Sequence, residues 1–163
     1  MFAATAVDPG TKLLLLESAQ PSGAGDLLDL GCGYGPIALT LARRAPDATV
    51  WAVDVNQRAL ALCAANAESN GLTNVRAVTP DAVPAEVRFA GIWSNPPIRI
   101  GKEALHELLL SWLERLDDDA HAWLVVQKHL GSDSLARWLE ETGWSTDRRV
   151  SRAGYRVLEV ARR

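Results

Sequence analysis

Hydrophobic positions along the chain alternate between two rhythms. Short apolar runs near 26–31, 49–54, 74–78, 89–94, 120–127, 145–150 and 155–161 predict strands. Between them, 36–44, 57–70, 102–116 and 133–142 carry helical spacing. It is clearest where Leu105, Leu108, Leu109, Trp112, Leu113 and Leu116 put one apolar face toward a sheet. This alternation predicts an α/β fold with a mostly parallel sheet and helices on both faces. Residues 1–20 read as a loop and short helix leading in, and as a candidate lid.

The turn residues agree with that division. Pro36 suits the first turn of a helix, Asn70-Gly71 ends one, Pro96-Pro97 stops a strand, and Gly143 closes the last helix. No internal repeat, low-complexity tract or long linker divides the chain, so residues 1–163 read as one domain.

Composition narrows the function classes. No run of eighteen apolar residues and no basic-then-hydrophobic leader argues for membrane insertion or export, so the expected location is the cytoplasm. Cys32 and Cys63 lie in apolar segments, and no Cys/His cluster has metal-ligand spacing, so neither a disulfide framework nor a metal site is expected. A net charge of −3 gives no overall field for nucleic acid, although Arg148, Arg149, Arg152, Arg156, Arg162 and Arg163 gather near the C-terminus. They read as a solvated face or as a local RNA contact. The six tryptophans fall mostly on strand or inward helix positions, where core packing is expected, with Trp93 the one nearest the ligand edge. His106, His121 and His129 lack partner acids at useful spacing and read as surface histidines.

The strand at 26–31 runs into Gly31, Gly33 and Gly35, and a helix follows at once, so backbone can turn tightly and approach a ligand. A dinucleotide fingerprint would place a glycine where Pro36 stands, and no P-loop lysine follows. Asp54 ends the next strand, where a carboxylate accepts both hydrogens of a ribose diol; the competing role is a helix cap. Asp29 either orients the loop, reaches a ligand amino group, or serves packing and capping. Asp81, after the third strand, points to the same crevice as a candidate acceptor for an adenine amine, or lies in a surface loop.

The fourth strand ends in Asn95 and breaks into Pro96, Pro97 and Ile98, a rigid turn beside the ligand edge. An amine on a conjugated ring is a poor nucleophile because its lone pair is delocalised. Asn95 Oδ1 and the Pro96 carbonyl are acceptors suited to hold its hydrogens and free that lone pair. Arg99 and Lys102 follow as candidate phosphate contacts, as does Lys128 past the fifth strand; a solvated pair at a helix start is the alternative for the first two.

Asp29-Leu-Gly-Cys-Gly-Tyr-Gly-Pro36, Val53-Asp-Val-Asn56 and Ser94-Asn-Pro-Pro97 together resemble the small-domain methyltransferase family, which includes the small-subunit ribosomal RNA guanine-N2 methyltransferases. The resemblance extends over Phe2 to Leu16, Arg99 to Lys102, Gln127-Lys128 and Gly154-Tyr155. It implies a Rossmann-like, seven-stranded sheet with an antiparallel last strand, S-adenosylmethionine as methyl donor, and ribosomal RNA as substrate. A sulfonium methyl is already electrophilic, so positioning suffices without a covalent nucleophile or metal. The resemblance assigns Gly31, Cys32, Gly33, Gly35, Asp29, Asp54, Val55, Asp81 and Asn95 to the cofactor, with Thr11 closing over its amino-acid end. It assigns Asn95, Pro96 and Pro97 to the target amine, and Ile98, Arg99, Lys102 and Lys128 to the substrate. Ile98 departs from the aromatic residue common in relatives and offers apolar contact in place of stacking. Methylation of a protein amide or a small amine, and a non-catalytic RNA-binding domain of this fold, are the competing readings.

Overall fold

In the computed structural model, which describes residues 7–21 and 23–163, helices and strands alternate nearly throughout. Phe2 and the rest of the first six residues of the expected lead-in lie outside the described residues. The order is α1 (Pro9–Glu17), β1 (Asp26–Leu30), α2 (Pro36–Arg44), β2 (Thr49–Val53), α3 (Gln57–Ser69), β3 (Val75–Val78), β4 (Phe89–Ser94), α4 (Lys102–Leu113), β5 (Leu116–Gln127), α5 (Ser132–Glu141), β6 (Trp144–Arg152) and β7 (Tyr155–Arg162). Single 3₁₀ turns stand at Pro80–Ala82, Ile98–Ile100 and Lys128–Leu130.

The strands form one seven-stranded sheet in the order β3-β2-β1-β4-β5-β7-β6. β1 to β5 pair in parallel, while β7 runs antiparallel to both β5 and β6. This is the expected Rossmann-like sheet with its last strand reversed. Chain order changes direction between β1 and β4, and a crevice opens at the carboxyl ends of strands flanking such a point.

Period-two alternation builds the core on both faces. In β1, Leu28 and Leu30 face one cluster with Leu109 and Leu113 of α4 and Leu139 of α5. Leu27 faces the other, with Leu14 of α1, Leu39 and Leu41 of α2 and Cys63 of α3. Full burial of such side chains contributes roughly 1.5–3 kcal/mol each. The described part of the lead-in is thus anchored: Leu13 and Leu14 of α1 are buried against the sheet.

Two boundaries differ from expectation. α4 stops at Leu113, and Leu116 is the first residue of β5, paired with Phe89. The apolar period runs on through Leu116 by coincidence, because the turn between the two elements returns a leucine to the core. β5 starts four residues before position 120 because Asp117, Asp118 and Asp119 are exposed and conceal the strand in the hydropathy pattern. The C-terminal arginines are largely paired: Arg148 with Asp133 and Glu140, Arg149 with Glu159, Arg156 with Asp133, and Arg162 with Asp118. Arg148, Arg149 and Arg152 are exposed and Arg156 and Arg162 half-buried. No helix among the described residues is long and apolar enough to cross a membrane.

Candidate active site

The loop Gly31–Gly35 follows β1, and its three glycines take positive φ of 79°, 55° and 106°. Each does so for a different reason. A Cβ on Gly35 would lie 2.7 Å from Cys63 Sγ and 2.8 Å from Leu39 Cδ1, so glycine here lets the start of α2 pack on α3. A Cβ on Gly33 would meet nothing within 4 Å, which leaves open space above the loop. Gly31 lies beneath the fourth-strand turn, with its Cβ position 3.8 Å from Pro97 Cδ and 3.9 Å from the Asn95 carbonyl oxygen.

Backbone and carboxylates fix this loop. Gly31 and Cys32 amides both donate to the Val53 carbonyl, at 2.8 and 3.0 Å. The Gly33 amide donates to Asp54 Oδ2 at 2.9 Å, and the Asn56 amide to Asp54 Oδ1 at 3.0 Å. A carboxylate oxygen accepts more than one hydrogen, so both retain capacity for a diol. Val55 stands beside them with its apolar side chain 80% exposed.

Asp29 lies wholly buried beneath the loop. Its Oδ2 accepts the Ala38 amide at 2.9 Å in the first turn of α2, whereas its Oδ1 has no partner among the described residues. Burial pushes this carboxyl up to about 8, the Ala38 bond opposes the rise, and the nearby Asp54 charge adds to it. Capping and an unfilled acceptor therefore coexist in one residue. Cys32 is buried, and its contact with Cys63, together with burial, pushes its thiol far up, so it packs as a neutral group. Thr11 is buried in α1, and Asp81 is exposed on the turn after β3.

At the end of β4, the Ser94 hydroxyl donates to the Leu30 carbonyl at 2.7 Å, locking the carboxyl ends of β4 and β1 together. Asn95 follows, and its Nδ2 donates to Asp8 Oδ2 at 3.1 Å and to Thr11 Oγ1 at 3.3 Å. Both amide hydrogens are thereby directed into the protein, and Oδ1 makes no hydrogen bond among the described residues. Pro97 has φ −77° and ψ 80°, and the Ile98 amide donates to the Pro96 carbonyl at 2.9 Å. This is an inverse γ-turn, and it occupies one of the two lone pairs of that carbonyl. Asp8, Asn95, Pro96, Ile98, Gln127 and Tyr155 help line a cavity of about 320 Å³ at this edge.

The fold brings most of the expected residues together along one edge: the glycine loop after β1, Asp54 and Val55 after β2, Asp81 after β3, and the Asn95 turn after β4. Pro97, Ile98 and Arg99 also line the cavity. Lys102 lies in the adjoining groove with His106, and Lys128 is exposed on the turn after β5, held through its amide by the Gly154 carbonyl. The tryptophan expectation agrees with the packing, since Trp93 is buried and donates to Ser18 Oγ at 3.0 Å; His106 stacks on Trp138, whereas His121 departs from expectation by pairing with an acid, Glu159, on the neighbouring strand. Sequence reasoning assigned no role to Asp8, Gln127 or Tyr155. The signal for Asp8 was present, since an acid before Pro9 marks a helix cap; its second partner, Asn95, lies 87 residues away.

A sheet of this order, with a glycine loop after its first strand, a carboxylate after its second that holds that loop and an Asn-Pro-Pro turn after its fourth, matches a class I S-adenosylmethionine-dependent methyltransferase. The orphaned Asp29 oxygen, the spare capacity of Asp54, the exposed Val55 and the open space over Gly33 fit a ligand with an amine, a ribose and a flat ring. The chain belongs to the family described as methyltransferase small domain, which matches residues 1–159. It is 38% identical over 163 residues to the uncharacterized protein YbxB of Bacillus subtilis, covering 98% of this chain and 81% of that one. It is 32% identical over 141 residues to ribosomal RNA small subunit methyltransferase C of Shewanella pealeana, covering 83% of this chain and 41% of that protein. The chain thus spans about two fifths of the length of such ribosomal RNA methyltransferases. Among solved structures, a 16S rRNA N2 methyltransferase of T. thermophilus, in complex with AdoMet and guanosine, matches with a TM-score of 0.81 and 28% identity over 99% of this chain and 45% of that one. The ribosomal protein L11 methylase of Lactobacillus delbrueckii shares the fold with a TM-score of 0.74 at 19% identity, over 94% of this chain and 77% of that one.

Proposed function

We propose that residues 1–163 act as one methyltransferase domain that methylates an exocyclic amine of a ribosomal RNA base, guanine N2 of the small-subunit RNA, in the cytoplasm. The observation that carries this reading is the Asn95 carboxamide, whose two hydrogens are held by Asp8 and Thr11 while Oδ1 stays available at the cavity. When bound, S-adenosylmethionine supplies an electrophilic methyl group on a sulfonium. Asp54 holds the ribose, Val55 and Asp81 border the adenine, and Asp29 and Thr11 serve the amino-acid end. Gly31, Cys32, Gly33 and Gly35 shape the loop beneath. Asn95 Oδ1 accepts one hydrogen of the target amine, and the second lone pair of the Pro96 carbonyl accepts the other. Together they return the nitrogen lone pair to the attacking direction. Pro97 fixes the turn, Ile98 gives the base an apolar contact, and Arg99, Lys102 and Lys128 meet phosphates around the mouth.

Likeness to the T. thermophilus and Shewanella enzymes supports RNA as the acceptor. Ile98 favours a second reading, a protein amide or small amine, because an aliphatic side chain does not select a stacked base. Labelled methyl transfer separates the two. With deproteinised small-subunit RNA, intact small subunits, total protein and small metabolites offered in parallel, label is expected in RNA, recovered as N2-methylguanosine. Label confined to protein or metabolite would overturn the RNA reading.

A further inference from the structure

We infer that Asp8 is a positioning residue for the transfer, fixing which way the Asn95 carboxamide faces; the inference rests on the role proposed for Asn95. Asp8 precedes Pro9 as the cap of α1, and its Oδ2 accepts both the Thr11 amide at 3.1 Å and Asn95 Nδ2 at 3.1 Å. Its other oxygen accepts the Tyr155 hydroxyl at 3.4 Å, and that hydroxyl accepts Gln127 Nε2 at 3.0 Å. One carboxylate therefore joins α1, the end of β4, the end of β5 and the start of β7 around a single cavity. The Tyr155 ring also bears on Gly10, where a Cβ would lie 2.6 Å from a ring carbon, so the first turn of α1 is seated on that ring.

A carboxamide has two nearly isosteric orientations. Only one of them serves an amine, and no backbone group among the described residues bonds the carboxamide to choose between them. The Asp8 carboxylate chooses, because it accepts and never donates: rotating Asn95 by half a turn would set oxygen against oxygen and lose a charge-assisted bond. For a solvent-exposed bond that difference corresponds to a bias of about tenfold. The negative charge beside the Nδ2 hydrogens also draws amide electron density toward Oδ1, making it a better acceptor. A cap alone requires only the Thr11 bond. The Asn95 and Tyr155 bonds exceed what a cap requires.

Asp8→Ser separates the two roles, since serine caps a helix about as well as aspartate but is too short to reach Asn95 and Tyr155. On deproteinised small-subunit RNA, kcat is expected to fall about tenfold, with KM for S-adenosylmethionine close to wild type and the thermal midpoint lowered by the two lost bonds. In nitrogen-15 spectra of the free protein, the Asn95 carboxamide signals, assigned by their loss in Asn95→Ala, are expected to shift and lose protection in Asp8→Ser. A wild-type kcat in Asp8→Ser or unmoved Asn95 signals would each overturn the inference. If the wild-type protein methylates no RNA, the RNA reading fails, while the carboxamide signals still decide the role of Asp8.

Discussion

Gly33 donates its amide hydrogen to Asp54 Oδ2 at 2.9 Å, tying the loop after β1 to the end of β2. The carboxylate expected to receive a ligand thus also shapes the loop that faces that ligand. Replacing Asp54 by alanine removes both functions, so affinity for S-adenosylmethionine should fall by at least about tenfold, the lower range for a hydrogen bond to a charged group. Isothermal calorimetry measures this directly, and unchanged affinity would remove Asp54 from the site.

Gly35 is a packing position. Alanine there must adopt a φ near 106° and place its methyl 2.7 Å from Cys63 Sγ. Strain and overpacking together are expected to lower stability by more than about 2 kcal/mol. Urea unfolding checks this, and adding Cys63→Ala should return the part of the loss due to Cys63 Sγ but neither the Leu39 contact nor the backbone part. A Gly35→Ala protein as stable as wild type would contradict the packing account.

Asp29 makes stability depend on pH. Its carboxyl is raised from 3.8 to about 8 on folding, first by burial and then by the Asp54 charge, against the Ala38 bond. Between those values the folded protein holds a proton that the unfolded chain has released. Stability is therefore highest below about pH 4 as far as this group is concerned, and it declines as pH rises through about 8. Asp29→Asn does not titrate at this site. From pH 5 to pH 8 the wild type should lose unfolding free energy relative to that variant, and parallel curves would show that Asp29 ionises normally.

The β6–β7 connection holds a local cost. Arg152 and Tyr155 pair across a two-residue turn whose members, Ala153 and Gly154, both have positive φ, at 52° and 83°. This is the type I′ pattern, in which asparagine suits the first position better than alanine. Ala153→Asn should raise stability by roughly 0.5–1 kcal/mol. A thermal midpoint that stays the same or falls would contradict the turn assignment.

The placing of the glycine loop and Asp54 along one sheet edge was legible in the sequence because it is local: glycines, a strand and an acid succeed one another within a few elements. Asn95 was legible for the same reason, as an Asn-Pro-Pro turn ending a strand. What binds Asn95 was hidden, because Asp8 and Thr11 lie 87 and 84 positions from it and meet it only through the fold. The start of β5 was missed because Asp117 to Asp119 interrupt its apolar pattern with exposed charges. Gly35 had the right residue type but a different physical cause, packing on Cys63, which spacing alone does not reveal.

The central claim is that Asn95 accepts the hydrogens of the target amine. Its most direct test is the single-turnover rate of methyl transfer by Asn95→Ala under saturating S-adenosylmethionine, alongside the cofactor dissociation constant of the same protein. The rate should drop about a hundred- to thousandfold, the loss typical of removing one preorganised polar contact to a transition state, while the dissociation constant stays close to wild type. A near-wild-type rate would contradict the assignment of Asn95.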